Sequence, residues 1–198
     1  MPRFDKFDPW SESKTVNGLP SDQVVSMLQK AIRKGLEKDA IDAAYEMYST
    51  CVELEAKMWT RLLIISLEDV GFGDTFAPVF VYTCSQIRFN YDYEDGDRAL
   101  VFIHAIRYLC RCKKERSSSY YQNIVEAKAK NGYVLTIPDY AIDMHTKKGQ
   151  EMGVNSMQFY SEGDHVTPEY NDEESLHTKA LREEAIRLAK ESLSKHNT

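Results

Sequence analysis

The sequence predicts an all-α fold, an irregular helical bundle with at most a short extended segment near residues 133–137. Three observations predict it. Apolar residues recur every three or four positions through most of the chain, which is the period of an amphipathic helix. Glycine, proline and capping residues divide these stretches at intervals typical of helix ends. The run 133–137, which precedes Pro138, is the only stretch that resembles a strand.

Three helices with short connections are predicted first. Ser21 is placed to cap the first helix and Gly35 to end it. Asp39 is placed to cap the second, and the third is expected to end at Gly71. Their expected core faces comprise Val24, Val25, Leu28, Ile32, Ile41, Ala44, Tyr45, Tyr48, Met58, Trp59, Leu62, Leu63 and Ser66.

Five further helices are expected. Asp74 is placed to cap a fourth helix that runs through Arg88. A fifth helix is expected to follow the acidic stretch 92–97, because carboxylates are stabilised by the positive end of the helix dipole. A sixth begins at 117–119, a seventh covers 139–152 and a last covers about 173–194. The fifth and sixth would pack through Ala99, Phe102, Ile103, Ile106, Leu109, Cys110, Ile124 and Val125.

We expect three regions along the chain. Residues 1–20 form an extended N-terminal arm, whose Phe4, Phe7 and Trp10 favour docking over a solvated tail. Residues 21–163 form the helical domain. Residues 164–198 form an acidic loop and a C-terminal helix that packs on the same domain or extends it.

Composition excludes several classes of protein. The 198 residues are 42% hydrophobic and 28% charged, values typical of a globular domain, and a net charge of −6 argues against a generally basic nucleic-acid coat protein. Four scattered cysteines form no zinc-binding pattern, so we expect reduced thiols in a cytoplasmic protein with no metal and no cofactor. Neither a signal peptide nor a membrane span is expected.

Three segments carry a resemblance to a known family. They are WTRLLIISLEDVGFGD at 59–74, YLCRCKKERSSSY at 108–120 and IPDYAIDMHTKKG at 137–149. In the same order, they resemble segments in the C-terminal region of RarA/MgsA-type AAA+ ATPases, clamp-loader relatives that work at stalled replication forks. The resemblance covers roughly residues 21–163. It implies a collar-like oligomerisation domain that assembles as a tetramer.

The motor of that family is missing from these residues. No Gly-x-x-x-x-Gly-Lys-[Ser/Thr] run, whose amides would cradle nucleotide phosphates, occurs in the sequence. We therefore expect a non-enzymatic module for oligomerisation and DNA transactions in replication, repair or recombination. Its expected partners are further copies of the chain, DNA, and a separate AAA+ ATPase or replication protein.

A cluster of cations suggests where DNA would bind. Residues 107–130 carry seven Lys or Arg and two Glu. Phosphate contacts would explain this density, whereas a solvated helix end would explain its position. The candidate DNA-binding residues are Arg107, Arg111, Lys113, Lys114, Arg116, Lys147 and Lys148.

The paired acids Glu68 and Asp69 precede Gly71 and Gly73. Their carboxylates could bind Mg²⁺, although neighbouring side chains on a helix diverge by about 100°. The resemblance implies a structural turn instead.

Two other functions remain open. Arg98 and His104 fit the R-x4–6-H signature of HEPN ribonucleases, which predicts a dimeric enzyme with these two as catalytic residues. On a regular helix their spacing places the side chains about 120° apart. The other alternative is a protein–protein interaction adaptor that does not bind nucleic acid.

Overall fold

The computed structural model describes residues 9–168 and 173–196, and this part of the chain forms nine α-helices and no β-strand. The predicted all-α fold is confirmed. The run 133–137 has no regular secondary structure. The described residues fall into two compact units, divided between Tyr133 and Val134.

The first unit contains six α-helices. They are α1 (Ser21–Lys34), α2 (Glu37–Thr50), α3 (Val52–Ile65), α4 (Ala77–Ile87), α5 (Gly96–Arg111) and α6 (Ser117–Lys130). Single 3-10 turns occur at Pro9–Ser11, Gly71–Gly73 and Arg88–Asn90, and one π-helical turn at Ser66–Val70. Before α1, Lys14 and Pro20 form an isolated antiparallel bridge.

One apolar core holds the first five helices together. It forms because each helix has apolar residues on one side, which must leave water together. Its largest fully buried apolar side chains are Phe102, Leu28, Ile32, Met47, Leu54, Met58, Leu62, Ile65, Ile106, Leu109 and Val70. Trp10 packs against this core, whereas Phe4 and Phe7 lie outside the described residues. Helix α6 contributes no buried residue to it, contrary to the expectation for Ile124 and Val125.

Several predicted helix ends differ from the structure. Gly35 ends α1 as expected, with a left-handed φ of 71°. Ser21 is the first residue of α1 rather than its cap, because Pro20 supplies the extended backbone before it. Asp39 lies inside the first turn of α2, which already begins at Glu37. Asp74 precedes α4 and accepts a hydrogen bond from the Phe76 N–H without capping the helix.

The second unit is less regular. It contains α7 (Lys147–Glu151), α8 (Ser156–Gln158) and α9 (Glu173–His196), with a 3-10 turn at Asp139–Ala141 and a π-helical turn at Phe159–Gly163. The predicted helix over 139–152 was wrong. Its middle is a turn in which Asp143 accepts a hydrogen bond from the His145 N–H and Thr146 accepts one from Gly149. Such side-chain bonds compete with the helical ones. The final helix is confirmed.

Candidate functional site

A tight acidic turn follows α3. The backbone widens into the π-helical turn Ser66–Val70, and Gly71 then adopts a φ of 52°, a left-handed value that favours glycine. This path buries the Asp69 side chain completely, while the side chain of Glu68 keeps part of its surface in water. A carboxylate buried this deeply requires charged or hydrogen-bonding partners.

Those partners come from α1 and from the segment before α6. Arg33 Nε donates to Asp69 Oδ1 at 2.5 Å, a bond that raises the pKa of Arg33. Arg116 Nη2 donates to Glu68 Oε1 at 3.1 Å, and its Nε lies 3.0 Å from Asp69 Oδ1 as an ion-pair contact rather than a hydrogen bond. Gln29 donates to both carboxylates, at 3.0 and 3.1 Å. Both carboxylates therefore already have hydrogen-bond and ion-pair partners within the chain.

The glycines of the turn allow a second segment to pack closely. A Cβ on Gly71 would lie 2.4 Å from the Glu115 carbonyl oxygen, and one on Gly73 would lie 2.3 Å from that of Lys113. The Glu115 N–H bridges back to the carbonyls of Asp69 and Val70. Any side chain at either glycine would separate these two backbone segments.

The arrangement offers little to a metal ion. Within the described residues, no group of three or more His, Cys, Asp and Glu side chains could hold one. The two acids of the turn face arginine and glutamine donors, which would have to be displaced for Mg²⁺ to bind.

Most of the predicted DNA-binding cations have partners within the first unit. Arg116 pairs with Glu68 and Asp69 of the acidic turn. Lys114 Nζ donates to the carbonyls of Leu109, Cys110 and Cys112, where it caps the C-terminus of α5. Arg107 and Arg111 both pair with Glu37 of α2. The density of positive charge is thus accounted for largely by intramolecular pairing.

The other three candidates are exposed lysines. Lys113 lies in the segment between α5 and α6. Lys147 and Lys148 lie in α7 of the second unit, where Lys147 is 3.8 Å from Glu151. These three are the lysines from the predicted set that remain most accessible to a phosphate.

Arg98 and His104 occupy different environments. Arg98 is buried, donates to both oxygens of the buried Glu55 at 3.1 and 2.8 Å, and also reaches the carbonyls of Arg88 and Tyr91. His104 is exposed, with its ring centroid 5.6 Å from that of Phe80. The structure does not bring the two side chains to one site, and each Arg98 nitrogen already has an acceptor.

Sequence reasoning missed the outer face of α4. Every exposed residue from Phe76 to Phe89 is uncharged, and no charged residue occurs within α4 itself. Phe76, Val79 and Tyr82 are each more than half exposed, as is Phe89 beyond the helix. The absence of charge from residues 77–87 was the signal in the sequence.

Comparison with known protein families finds none that matches the chain, and comparison with curated protein sequences finds no significant match. The resemblance to the RarA/MgsA C-terminal region therefore stays a prediction. Among the described residues, we find no helix that could span a lipid bilayer.

Proposed function

We propose that this chain is a non-enzymatic assembly module, which pairs with a second copy of itself through the outer face of α4. The observation that carries the proposal is the surface from Phe76 to Phe89, whose exposed residues are all uncharged and whose one arginine, Arg88, is mostly buried. Monomeric proteins rarely leave large contiguous apolar patches in water, and such patches mark interaction sites.

The exposed aromatic residues of this face would supply close to half of a standard dimer interface. Phe76, Tyr82 and Phe89 are 56%, 57% and 63% exposed. Since an aromatic side chain offers about 150–250 Å², these three leave roughly 350 Å² accessible. Two copies would bury twice that area, close to half of the roughly 1,600 Å² in a standard interface. Val79, Ile87 and the polar rim would supply more.

The chemistry of the face favours an identical partner. A two-fold interface brings each residue near its own copy or its neighbours, so like charges would repel across it. Helix α4 carries no charged residue, and Arg88, just beyond it, is mostly buried. A charge-depleted core is also typical of homodimer interfaces.

A tetramer, which the resemblance implies, would need a second interface. Helix α6 offers one, because Tyr120, Tyr121, Ile124 and Val125 share one side of the helix and are all about half exposed or more. For the DNA-transaction part of the proposal, the exposed lysines are Lys113 in the first unit and, separately, Lys147 and Lys148 in the second.

The test is the native mass of the purified chain, measured by light scattering after size exclusion across a range of micromolar concentrations. We expect the wild type to be a dimer or tetramer. Tyr82→Lys, which places a charge on the α4 face, should abolish pairing through α4 and lower the native mass. Tyr45→Lys is the matched control, because Tyr45 is a helical tyrosine of similar exposure, 52% against 57%, on α2. A wild-type monomer at all concentrations would contradict the proposal and favour the adaptor alternative.

A further inference from the structure

One side of α5 lines a cavity of about 290 Å³. His104, Arg107, Tyr108 and Arg111 are spaced by three, one and three residues, which places them on the same side of the helix. Asp74 and Cys112 complete the lining. Two guanidinium groups and an imidazole thus converge on a concave space large enough for a small organic ligand.

On the arginine side of this cavity, two guanidinium groups share one carboxylate, that of Glu37. Arg107 donates from Nε to Glu37 Oε1, and Arg111 Nε lies 3.4 Å from Glu37 Oε2, so one carboxylate serves two guanidinium groups. The hydrogen bond from Arg107 is the main cause that lowers the pKa of Glu37. Both arginines remain well exposed, at 46% and 65% of their side chains. Exposed ion pairs of this kind contribute little free energy, so another anion can compete with Glu37 for the two arginines.

The opposite wall has a different character. Asp74 Oδ2 accepts from the Tyr108 hydroxyl at 2.7 Å, and Oδ1 accepts from the Phe76 N–H at 3.0 Å. These hydrogen bonds, first the one from Tyr108, lower the pKa of Asp74 and so favour its charged form. An anion would be repelled here, whereas a ligand hydroxyl could donate to the remaining lone pairs. The cavity therefore has an anion-accepting side and a hydroxyl-accepting side.

We propose that this cavity binds a phosphomonoester with a hydroxylated carbon skeleton, its phosphate bound by Arg107 and Arg111 in competition with Glu37, which lies outside the lining of the cavity. Planar guanidinium groups bind phosphate oxygens in pairs, and a phosphomonoester carries close to two negative charges at neutral pH. Glu37 then acts as an internal competitor that the dianion displaces. This inference does not depend on self-assembly.

The probes are ribose 5-phosphate and inorganic phosphate, titrated into the full chain and followed by isothermal calorimetry and NMR shifts of the arginine side chains. We expect Arg107→Gln to weaken ribose 5-phosphate binding by about tenfold or more, because one charge-assisted contact is lost. Glu37→Gln should instead tighten binding severalfold. Arg187→Gln, at an exposed ion pair in the second unit, should leave it unchanged.

The opposite signs of the two substitutions make the test decisive, since a variant that merely damaged the fold could not bind more tightly. Binding that is equal in wild type and Arg107→Gln, or that weakens in Glu37→Gln, would overturn the proposal. So would the absence of any binding by wild type and Glu37→Gln. A single-stranded oligonucleotide with a 5′-phosphate, compared with the same strand ending in a 5′-hydroxyl, shows whether the phosphomonoester is free or at a nucleic-acid end.

Discussion

Arg33 of α1 and Asp69 of the π-helical turn form an ion pair in which the guanidinium is partly exposed and the carboxylate is wholly buried, with 2.5 Å between Nε and Oδ1. Arg116 reaches the same carboxylate from the segment before α6. One acid therefore links α1, the end of α3 and the start of α6. Because the desolvation of this carboxylate is offset by the two arginines and by the hydrogen bond from Gln29, the turn depends on these partners.

Removing this carboxylate should be costly. We expect Asp69→Ala to lower the free energy of unfolding by about 3–5 kcal/mol, since it leaves Arg33 and Arg116 near a buried space with only the partly exposed Glu68 as counter-charge. Urea denaturation followed by circular dichroism measures it. Glu68→Ala is the control: its carboxylate binds the same arginines but is partly exposed, so its loss should cost less than about 1 kcal/mol. Equal losses in the two variants would contradict the central role of Asp69.

The close approach at Gly73 gives a second prediction. Gly73→Ala would place a methyl group 2.3 Å from the Lys113 carbonyl oxygen, a backbone atom that cannot move independently. We expect destabilisation of about 1–3 kcal/mol in thermal or urea unfolding.

Gly96→Ala is the matched control for this substitution. Gly96 begins α5, has a negative φ and has open space where its Cβ would lie. Alanine there should be neutral or stabilising by about 0.4–1 kcal/mol, because it restricts the unfolded chain. A Gly73→Ala variant as stable as Gly96→Ala would show that the two segments separate easily.

The helices could largely be predicted because their signal is local. The spacing of Val24, Leu28 and Ile32 requires only that one side of α1 be buried, and Gly35 ends that helix by its own conformational freedom. The turn at Asp143–Thr146 could not be predicted in this way. Its side chains bond to nearby backbone groups, an alternative that apolar spacing does not reveal.

The electrostatics of the candidate site could not be read from the sequence, because the partners are distant in the chain. The cations from Arg107 to Arg116 look unpaired in sequence, yet Glu37, Glu68 and Asp69 meet them in the fold. Similarly, Glu55 of α3 meets Arg98 only because α3 and the start of α5 share one core. Charge density along a chain therefore predicts an interface poorly until the long-range pairs are known.

Arg98 and His104 should respond differently to substitution. Arg98→Ala would leave the buried Glu55 with the more distant Arg88, at 3.8 Å, as its remaining cation and with a hydrogen bond from the Trp59 indole, and should cost about 3 kcal/mol or more. His104→Ala removes an exposed ring that contacts Phe80 and should cost about 1 kcal/mol or less. Urea denaturation compares them. The HEPN alternative predicts instead that folded His104→Ala loses an RNA-cleaving activity present in the wild type.

The thiols at the end of α5 should make the fold sensitive to alkali. Burial raises the pKa of both Cys110 and Cys112 to about 11, from an ordinary value of 9.0. The unfolded chain therefore loses these protons first, so their contribution to stability is complete below pH 9.0 and is lost as the pH rises through about 11. Burial also raises the pKa of Tyr48 and Tyr93, which adds a loss of the same sign. Urea midpoints measured across this range should fall steadily in the wild type and less steeply when both cysteines are replaced by alanine. An unchanged slope in that double variant would show that the two thiols ionise equally readily in the folded and unfolded chain.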